Sequence, residues 1–189
     1  MACSIELVTA PFELYWAPTG TAFPDVDTAP TAPWSLIGTG GSLRYSEDGV
    51  TVAWEVETED VNVLGDIDPV CINITGRDMR VRVRMLDHSL EQLRLAFNLN
   101  PVVVDPGPPE TSTLSLDTGS ELTRVALLVR GEGKSPELLG ANVQWEFDPV
   151  IEVASKELTY VKGQPAGVDL EFRVLAGHRQ LVAESNTAT

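Results

Sequence analysis

The sequence predicts a mostly β protein, with a β-sandwich or barrel-like fold, one packed α-helix and a long extended loop. Three observations support this. Several stretches alternate apolar and polar residues with period two, which is typical of strands that bury one face of an antiparallel sheet. Two shorter stretches are more continuously apolar. A single separate stretch has apolar residues at helical spacing. Glycine-containing turn signals separate these stretches, so we expect strands around a single helix.

The strands follow from these patterns in order. Alternation predicts strands over residues 50–57, 79–85 and 168–174. The more continuously apolar stretches 125–129 and 143–147 predict strands that are covered on both faces, or on one face by the protein and on the other by a partner subunit. The glycine turn signals fall between these stretches, which favours antiparallel connections.

The helix is predicted over about residues 87–99. Apolar side chains recur there at helical spacing, namely Leu86, Leu90, Leu93 and Phe97, with Ala96 and Leu99 beside them. Asp87 can cap the helix start, or Ser89 can do so with Gln92 closing a capping box. Pro101 ends it, because proline disfavours helical angles in the residue before it. About 12 residues are marginal alone, so the helix needs a sheet to lie on.

The length of 189 residues predicts one domain, over residues 1–183, followed by a flexible C-terminal tail at 184–189. Two proline-rich stretches, 24–33 and 104–110, are predicted loops. The second separates the helix from the rest of the chain and is interpreted as a hinge between two halves of the sheet, in preference to a domain linker.

The chain is strongly acidic, with 13 Lys and Arg against 28 Asp and Glu, a net charge of −15 and a pI near 4.4. Such a field repels DNA and anionic membranes, so binding through backbone neutralisation is disfavoured. An acidic surface fits a conduit through which DNA slides, but the charge alone favours the simpler interpretation of an ordinary soluble acidic protein. Two cysteines, Cys3 and Cys71, are too few for a disulfide framework. Neither a signal peptide nor a membrane-spanning apolar run is expected.

Several short motifs resemble chemical sites and are interpreted as turns. The stretch 131–135 ends like a phosphate-binding loop, but Leu128 stands where that loop needs its first glycine. The acid pairs at 25–27 and 66–68 lack the distal glutamate of a calcium loop. The two histidines, His88 and His178, have no plausible nucleophile partner. We therefore expect no catalytic residue, metal or cofactor, and a protein that is not an enzyme.

One arrangement of segments is more specific than any of its parts: a proline-rich loop, a tryptophan-led short strand and an acidic turn that begins a long strand. The segments are 14–18, 18–24, 32–34, 37–38, 46–49, 50–63, 81–92 and 96–98. Over roughly residues 10–100 this layout resembles the major tail tube proteins of long-tailed (siphovirus-type) bacteriophages and phage-like gene transfer particles. The likeness is weaker from about residue 114, and residues 66–70 depart from the family pattern.

The resemblance implies a structural virion protein that forms hexameric rings stacked head to tail into a tube. Each subunit would join its sheets to those of its neighbours in a continuous inner barrel, and a loop within residues 38–70 would reach the next ring. The implied partners are the chain itself, a tape measure protein, a tail terminator and baseplate or tail-tip proteins. DNA would pass through the lumen without specific binding, and no membrane is involved. The implied location is the virion tail, after assembly in the host cytoplasm.

Candidate assembly residues lie on the predicted strands. Glu55, Glu57 and Glu59 share one face of one strand, and Arg80, Arg82 and Arg84 share one face of another. Opposite charges across a sheet contribute roughly 0.2–1 kcal/mol per pair, and we predict that the two ladders meet, within a subunit or between neighbours. The alternatives are that both are solvated faces, or that the glutamates line the channel. Trp34 and Trp54 are predicted core or interface anchors.

Two other functions fit the same composition. One is a neck or tail-end virion protein that forms single rings without a long polymer. The other is a monomeric carbohydrate-binding β-sandwich that uses a platform of tryptophans, of which the chain has four.

Overall fold

The structure is a computed structural model that describes residues 12–38, 45–61, 71–117, 119–133, 135, 140–163 and 166–184, with backbone alone at 45–48. Within these residues the chain forms nine strands, one short α-helix and one 3-10 helix. Their order is β1 Glu13–Pro18, β2 Ser35–Leu36, β3 Tyr45–Val61, β4 Cys71–Met85, α1 Leu90–Leu93, the 3-10 helix Arg94–Phe97, β5 Val102–Asp105, β6 Thr111–Leu114, β7 Arg124–Gly131, β8 Val143–Glu152 and β9 Val168–Ala183.

Seven strands form one antiparallel sheet in the order β2-β1-β7-β8-β9-β4-β3, and β5 pairs with β6 in a separate hairpin. The prediction of a mostly β fold with one helix is therefore confirmed. All five predicted stretches lie in strands: 50–57 in β3, 79–85 in β4, 125–129 in β7, 143–147 in β8 and 168–174 in β9.

The sheet curls around one core. Five of its strands contribute fully buried side chains to the same apolar cluster, represented by Leu14, Val81, Leu127, Phe147 and Phe172. The ring of Trp54 in β3 stacks on the ring of Trp145 in β8 at a centroid distance of 6.4 Å, although β9 and β4 lie between them in the sheet. This contact requires strong curvature, which is the usual consequence of strand twist in a large sheet.

The helical segment covers one end of that core but is shorter than the predicted span of 87–99. Its 3-10 part buries Leu95 and Ala96 and ends where Asn98 and Leu99 adopt left-handed angles, with φ of 55° and 60°. A helix cannot continue through such angles. The helix therefore stops before Pro101 is reached.

The capping box predicted at Ser89 and Gln92 does not form. Ser89 is the N-cap residue but its side chain makes no capping hydrogen bond. The Gln92 amide instead accepts a hydrogen bond from the Gly38 backbone N–H and donates one to the Leu36 carbonyl. Gln92 thereby joins the helix to β2, and the carboxylate of Asp87 accepts the Ser89 N–H.

The outer face of β1 and β7 is covered by the loop at residues 19–34. Arg130, only 2% exposed, donates hydrogen bonds to the carbonyls of Val26 and Thr28, and Gln144 donates to that of Pro24. Burying a guanidinium costs least when its donors are hydrogen-bonded. The loop carbonyls accept from both terminal nitrogens of Arg130, while its Nε has no hydrogen-bond partner among the described residues, so the end of the guanidinium fixes the loop to the sheet.

Other parts of the chain bear on the predicted organisation. The proposed hinge at 104–110 contains the end of β5 and the turn of the β5–β6 hairpin. Glu184 is hydrogen-bonded to Asn142 through its backbone N–H and its carboxylate, while 185–189 lie outside the described residues. Within the predicted inter-ring loop at 38–70, residues 45–61 form β3, and residues 39–44 and 62–70, with the segment 66–70, lie outside the described residues.

A bulge in β9 depends on Gly177. A Cβ added there would lie 2.2 Å from the Asp148 carbonyl oxygen, a backbone atom that cannot move aside cheaply. Gly177→Ala should therefore lower the free energy of unfolding by about 1–3 kcal/mol, the usual effect of overpacking. Urea denaturation measures this. Gly107→Ala is the matched control, because its added methyl would meet only the Asp105 carboxylate at 3.5 Å, and an equal loss in both variants would contradict the prediction.

Candidate assembly surface

The C-terminal half of β3, residues 54–61, pairs with the N-terminal half of β4, residues 71–79, and together they form a two-stranded ribbon that is called the arm. β4 pairs with β9 only from Arg80, which lies opposite Arg173, to Met85. Residues 71–79 of β4 therefore pair with β3 alone, and β3 is the last strand of the sheet. Within the described residues, both edges of the arm are therefore open.

One face of the arm exposes several large apolar side chains, although Arg77 and Asp60 share it. Trp54 and Val56 continue the inward-facing row of Val50 and Val52, but Trp54 is 65% and Val56 50% exposed. On β4 a bulge near Thr75 shifts the register by one residue, so that Ile74 lies opposite Thr58 and Ile72 opposite Asp60. Register partners share a face, so the shift places both isoleucines beside Trp54 and Val56. Ile72 and Ile74 are also more than half exposed.

The opposite face of the arm is acidic. Glu55, Glu57 and Glu59 lie opposite Asp78, Gly76 and Asn73. The glutamates therefore do not meet the arginine ladder within one subunit, and a pairing between neighbouring subunits stays a prediction. Glu57 lies directly over Gly76, where a Cβ would come within 2.6 Å of its carboxylate oxygen.

The arginine ladder meets other acids instead. Glu171 of β9 accepts from Arg80 at 2.5 Å and from Arg82 at 2.7 Å. Asp78 accepts from Arg80 at 2.6 Å and from Arg173 at 2.9 Å. These five residues, Asp78, Arg80, Arg82, Glu171 and Arg173, are called the crotch network, because they join β4 to β9 where the arm leaves the sheet.

In the crotch network, the arginines stabilise the ionised carboxylates of Asp78 and Glu171. Hydrogen bonds from Arg80 hold the pKa of Asp78 below its ordinary value, and hydrogen bonds from Arg82 do the same for the pKa of Glu171. The pKa of Arg80 is raised in turn, chiefly by Asp78. Arg84, the third member of the ladder, lies opposite Asp169 and packs over Gly167. The sequence pattern showed the charges of β9 but not that β9 lies beside β4.

The two tryptophans proposed as anchors have different positions. Trp34 is 8% exposed and packs on Ala126 and Leu128 beneath the 19–34 loop, where its indole N–H donates to the Ala22 carbonyl. It is a core anchor within the subunit. Trp54, on the arm, is the one available to another chain.

The two ends of the sheet are unequal. At one end, β2 contributes only two residues, which pair with Tyr15 and Trp16, and Ile37 donates to the Leu14 carbonyl. A very short edge strand gives little template for another chain. At the other end, β3 is 17 residues long and carries neither lysine nor proline. The open end of the sheet is therefore the β3 end.

Several other charged groups in the described part of the chain form ion pairs within the fold. Lys156 donates to the carboxylate of Glu152 and to the Asp169 carbonyl. Burial raises the pKa of Glu152 and lowers that of Lys156. His178 bonds Glu146 at 2.7 Å and stacks on Phe23. Among the described residues, no group of three His, Cys, Asp or Glu side chains is placed to hold a metal ion.

No protein-family model matches the chain, and no curated protein matches it significantly. None of the helices in the described ranges has the length and hydropathy required to span a bilayer.

The crotch network predicts a pH-dependent contribution to stability. Because the folded-state pKa values of Asp78 and Glu171 are lowered, their contribution is present above the unfolded-state values and is lost as the pH falls through the folded-state ones. Glu171→Gln should lower the free energy of unfolding by about 0.5–1 kcal/mol at pH 7. The deficit should shrink as the pH falls below the ordinary glutamate value of 4.5.

Urea denaturation of dilute protein between pH 7 and pH 3 tests this prediction. Glu59→Gln is the control, because it removes the same charge from the arm outside the network. A deficit for Glu171→Gln that is independent of pH, or that the control reproduces, would show that the network does not stabilise the fold through these ion pairs.

Proposed function

We propose that this chain is a structural protein that assembles through the open end of its sheet. The observation that carries the proposal is the arm, a two-stranded ribbon whose two edges are open among the described strands and whose one face exposes large apolar side chains. An isolated two-stranded hairpin is at best marginally stable in water, so the arm is expected to be ordered fully only against another chain. Full burial of a valine or isoleucine contributes about 1.5–3 kcal/mol, so covering the exposed half of each gives about 1 kcal/mol.

More specifically, we propose that the assembly is the tail tube of a long-tailed bacteriophage or a related gene transfer particle, built from stacked hexameric rings. The layout of residues 10–100 supports this, because the long strand and its arm fall in the segment that resembles the tail tube family. In this proposal the chain has no catalytic role. Its other partners are tape measure, terminator and tail-tip proteins, and its location is the virion tail.

Charge supports the conduit function. The net charge of −15 repels a DNA backbone, and Glu55, Glu57 and Glu59 concentrate acid on one exposed face of the arm. A lumen with such a wall would let DNA pass with little adhesion, because binding DNA requires cations that neutralise phosphates.

A second candidate is a carbohydrate-binding module, and Trp54 favours it, because its exposed ring, stacked on the half-buried Trp145, offers a surface on which a sugar ring can pack. The two functions differ in oligomeric state. A monomer whose tryptophan fluorescence changes on adding an oligosaccharide would favour this candidate, and rings seen without added ligand would exclude it as the main function.

The assembly proposal predicts a specific effect of charge on the arm. Val56→Lys and Ile74→Lys should each raise the concentration needed for ring or tube formation at least about tenfold, because a buried interface would then hold an unpaired ammonium group. Mass photometry across a concentration series and negative-stain electron microscopy measure this.

Val104→Lys is the matched control. Val104 is 52% exposed, close to the 50% of Val56 and 54% of Ile74, but it lies on the separate β5–β6 hairpin. Its assembly should equal that of the unmodified chain. A chain that stays monomeric at millimolar concentration, or rings that tolerate both arm substitutions, would refute the proposal.

A further inference from the structure

The arm is not the only place where the sheet presents an open edge. β9 pairs with β4 through Val168–Arg173 and with β8 through Phe172–Ala183. From Val174 onward, β9 therefore has β8 on one side and no strand on the other within the described residues. The sheet therefore divides into two branches. One branch is the arm, and the other is the C-terminal part of β9, from Val174 onward, paired with β8.

A bulge explains this division. Three residues of β9, Leu175 to Gly177, lie across from the single residue Pro149 of β8. Extra residues in one strand bend it and increase its twist, so the C-terminal part of β9 turns away from β4. Arg179 donates two hydrogen bonds to the Leu175 carbonyl, which satisfies the bulge. The open stretch that follows the bulge in sequence, residues 178–183 of β9, is called the acceptor edge.

We propose that the acceptor edge of one subunit pairs with the β3 edge of the arm from a neighbouring copy of this chain. The inference rests on the proposed function and deepens it by naming the surface that receives the arm. The acceptor edge is six residues long, a usual strand length, and it includes the half-exposed Leu181. Main-chain hydrogen bonds would then supply the attraction, as in strand addition to a sheet edge.

Charge selects this partner over a second β3. Glutamates occupy every other position from Glu55 to Glu59, so two β3 strands side by side would place like charges in contact, which destabilises a sheet. Residues 178–183 contain no acid and include His178 and Arg179. An acid-rich strand therefore meets an acid-free one.

Edge length selects the same partner over the other end of the sheet. The two-residue β2 covers Tyr15 and Trp16, and Ile37 occupies the Leu14 carbonyl, so half of the six-residue β1 edge is unavailable. The acceptor edge is the longer open stretch outside the arm among the described strands. Because donor and acceptor differ, the contact is head-to-tail, the type that closes into rings.

Disulfide trapping between separately produced variants tests the pairing. In a background with Cys3→Ser and Cys71→Ser, donors carry Glu55→Cys, Glu57→Cys or Glu59→Cys, and acceptors carry Gln180→Cys or Val182→Cys. Alternate positions on each strand cover the possible registers, since directly opposite Cβ atoms lie about 4.5–5.5 Å apart. Each donor is mixed with each acceptor, oxidised and run on a non-reducing gel. Thr113→Cys on β6 replaces the acceptor as a collision control.

The expected result is a disulfide-linked dimer for at least one donor–acceptor mixture, several-fold above the Thr113→Cys control and above either variant alone. Rings seen by microscopy with no mixture above that control would overturn the acceptor edge and leave the proposed function standing. Donors that link more strongly to themselves would also overturn it, in favour of β3–β3 pairing. A chain that forms no rings would refute the proposed function, and this inference with it.

Discussion

Every strand has hydrogen-bonding groups along two edges, and the architecture of this chain depends on how unevenly it satisfies them. Inside the sheet the edges of β7 and β8 are fully used, and the apolar cluster that includes Phe147 and Phe172 is sealed beneath them. At one end the two-residue β2 closes the sheet. At the other end the chain continues two strands past the core, and no third strand of the described ranges lies beside them. Unpaired backbone groups are costly only when they are buried, so the arm can stand in water but gains stability when it is covered.

Polar clusters fix the outer face of this sheet at two places. Arg130 and Gln144 hold the 19–34 loop through its carbonyls, and the crotch network ties β4 to β9 where the arm departs. The first is buried and depends on hydrogen-bond geometry. The second is partly exposed, so salt screens it more strongly. The orientation of the loop is therefore less sensitive to ionic conditions than the orientation of the arm.

The sequence was sufficient to predict parts of five long strands because their apolar patterns are regular, as in the stretch 79–85 and the stretch 168–174, but it did not predict β5, β6 or the ends of β4 and β9. It was not sufficient for the length of the helix, because the turn at Asn98 and Leu99 is held by contacts distant in the chain. The Asn98 side chain bonds Thr123 and Glu121, and Gln92 bonds Gly38.

The candidate site was predictable only in part. The charged faces of the strands follow from alternation, but their partners depend on strand order and register. The register of β3 on β4 sets Arg80 and Arg82 opposite Ala53 and Thr51, and the position of β9 beside β4 brings them to Glu171. Neither strand order nor register has a local signal. Which glutamates face a lumen depends on the whole assembly and stays a prediction.

The shortness of β2 has a consequence for growth. Because two residues pair along the β1 edge, that side of a subunit offers little backbone to a further copy. In the pairing proposed above, a partly built oligomer has an uncovered arm at one terminus and an uncovered acceptor edge at the other. Both termini are then receptive, each to the opposite kind of edge, and the blunt β1 side disfavours sideways addition of a third copy.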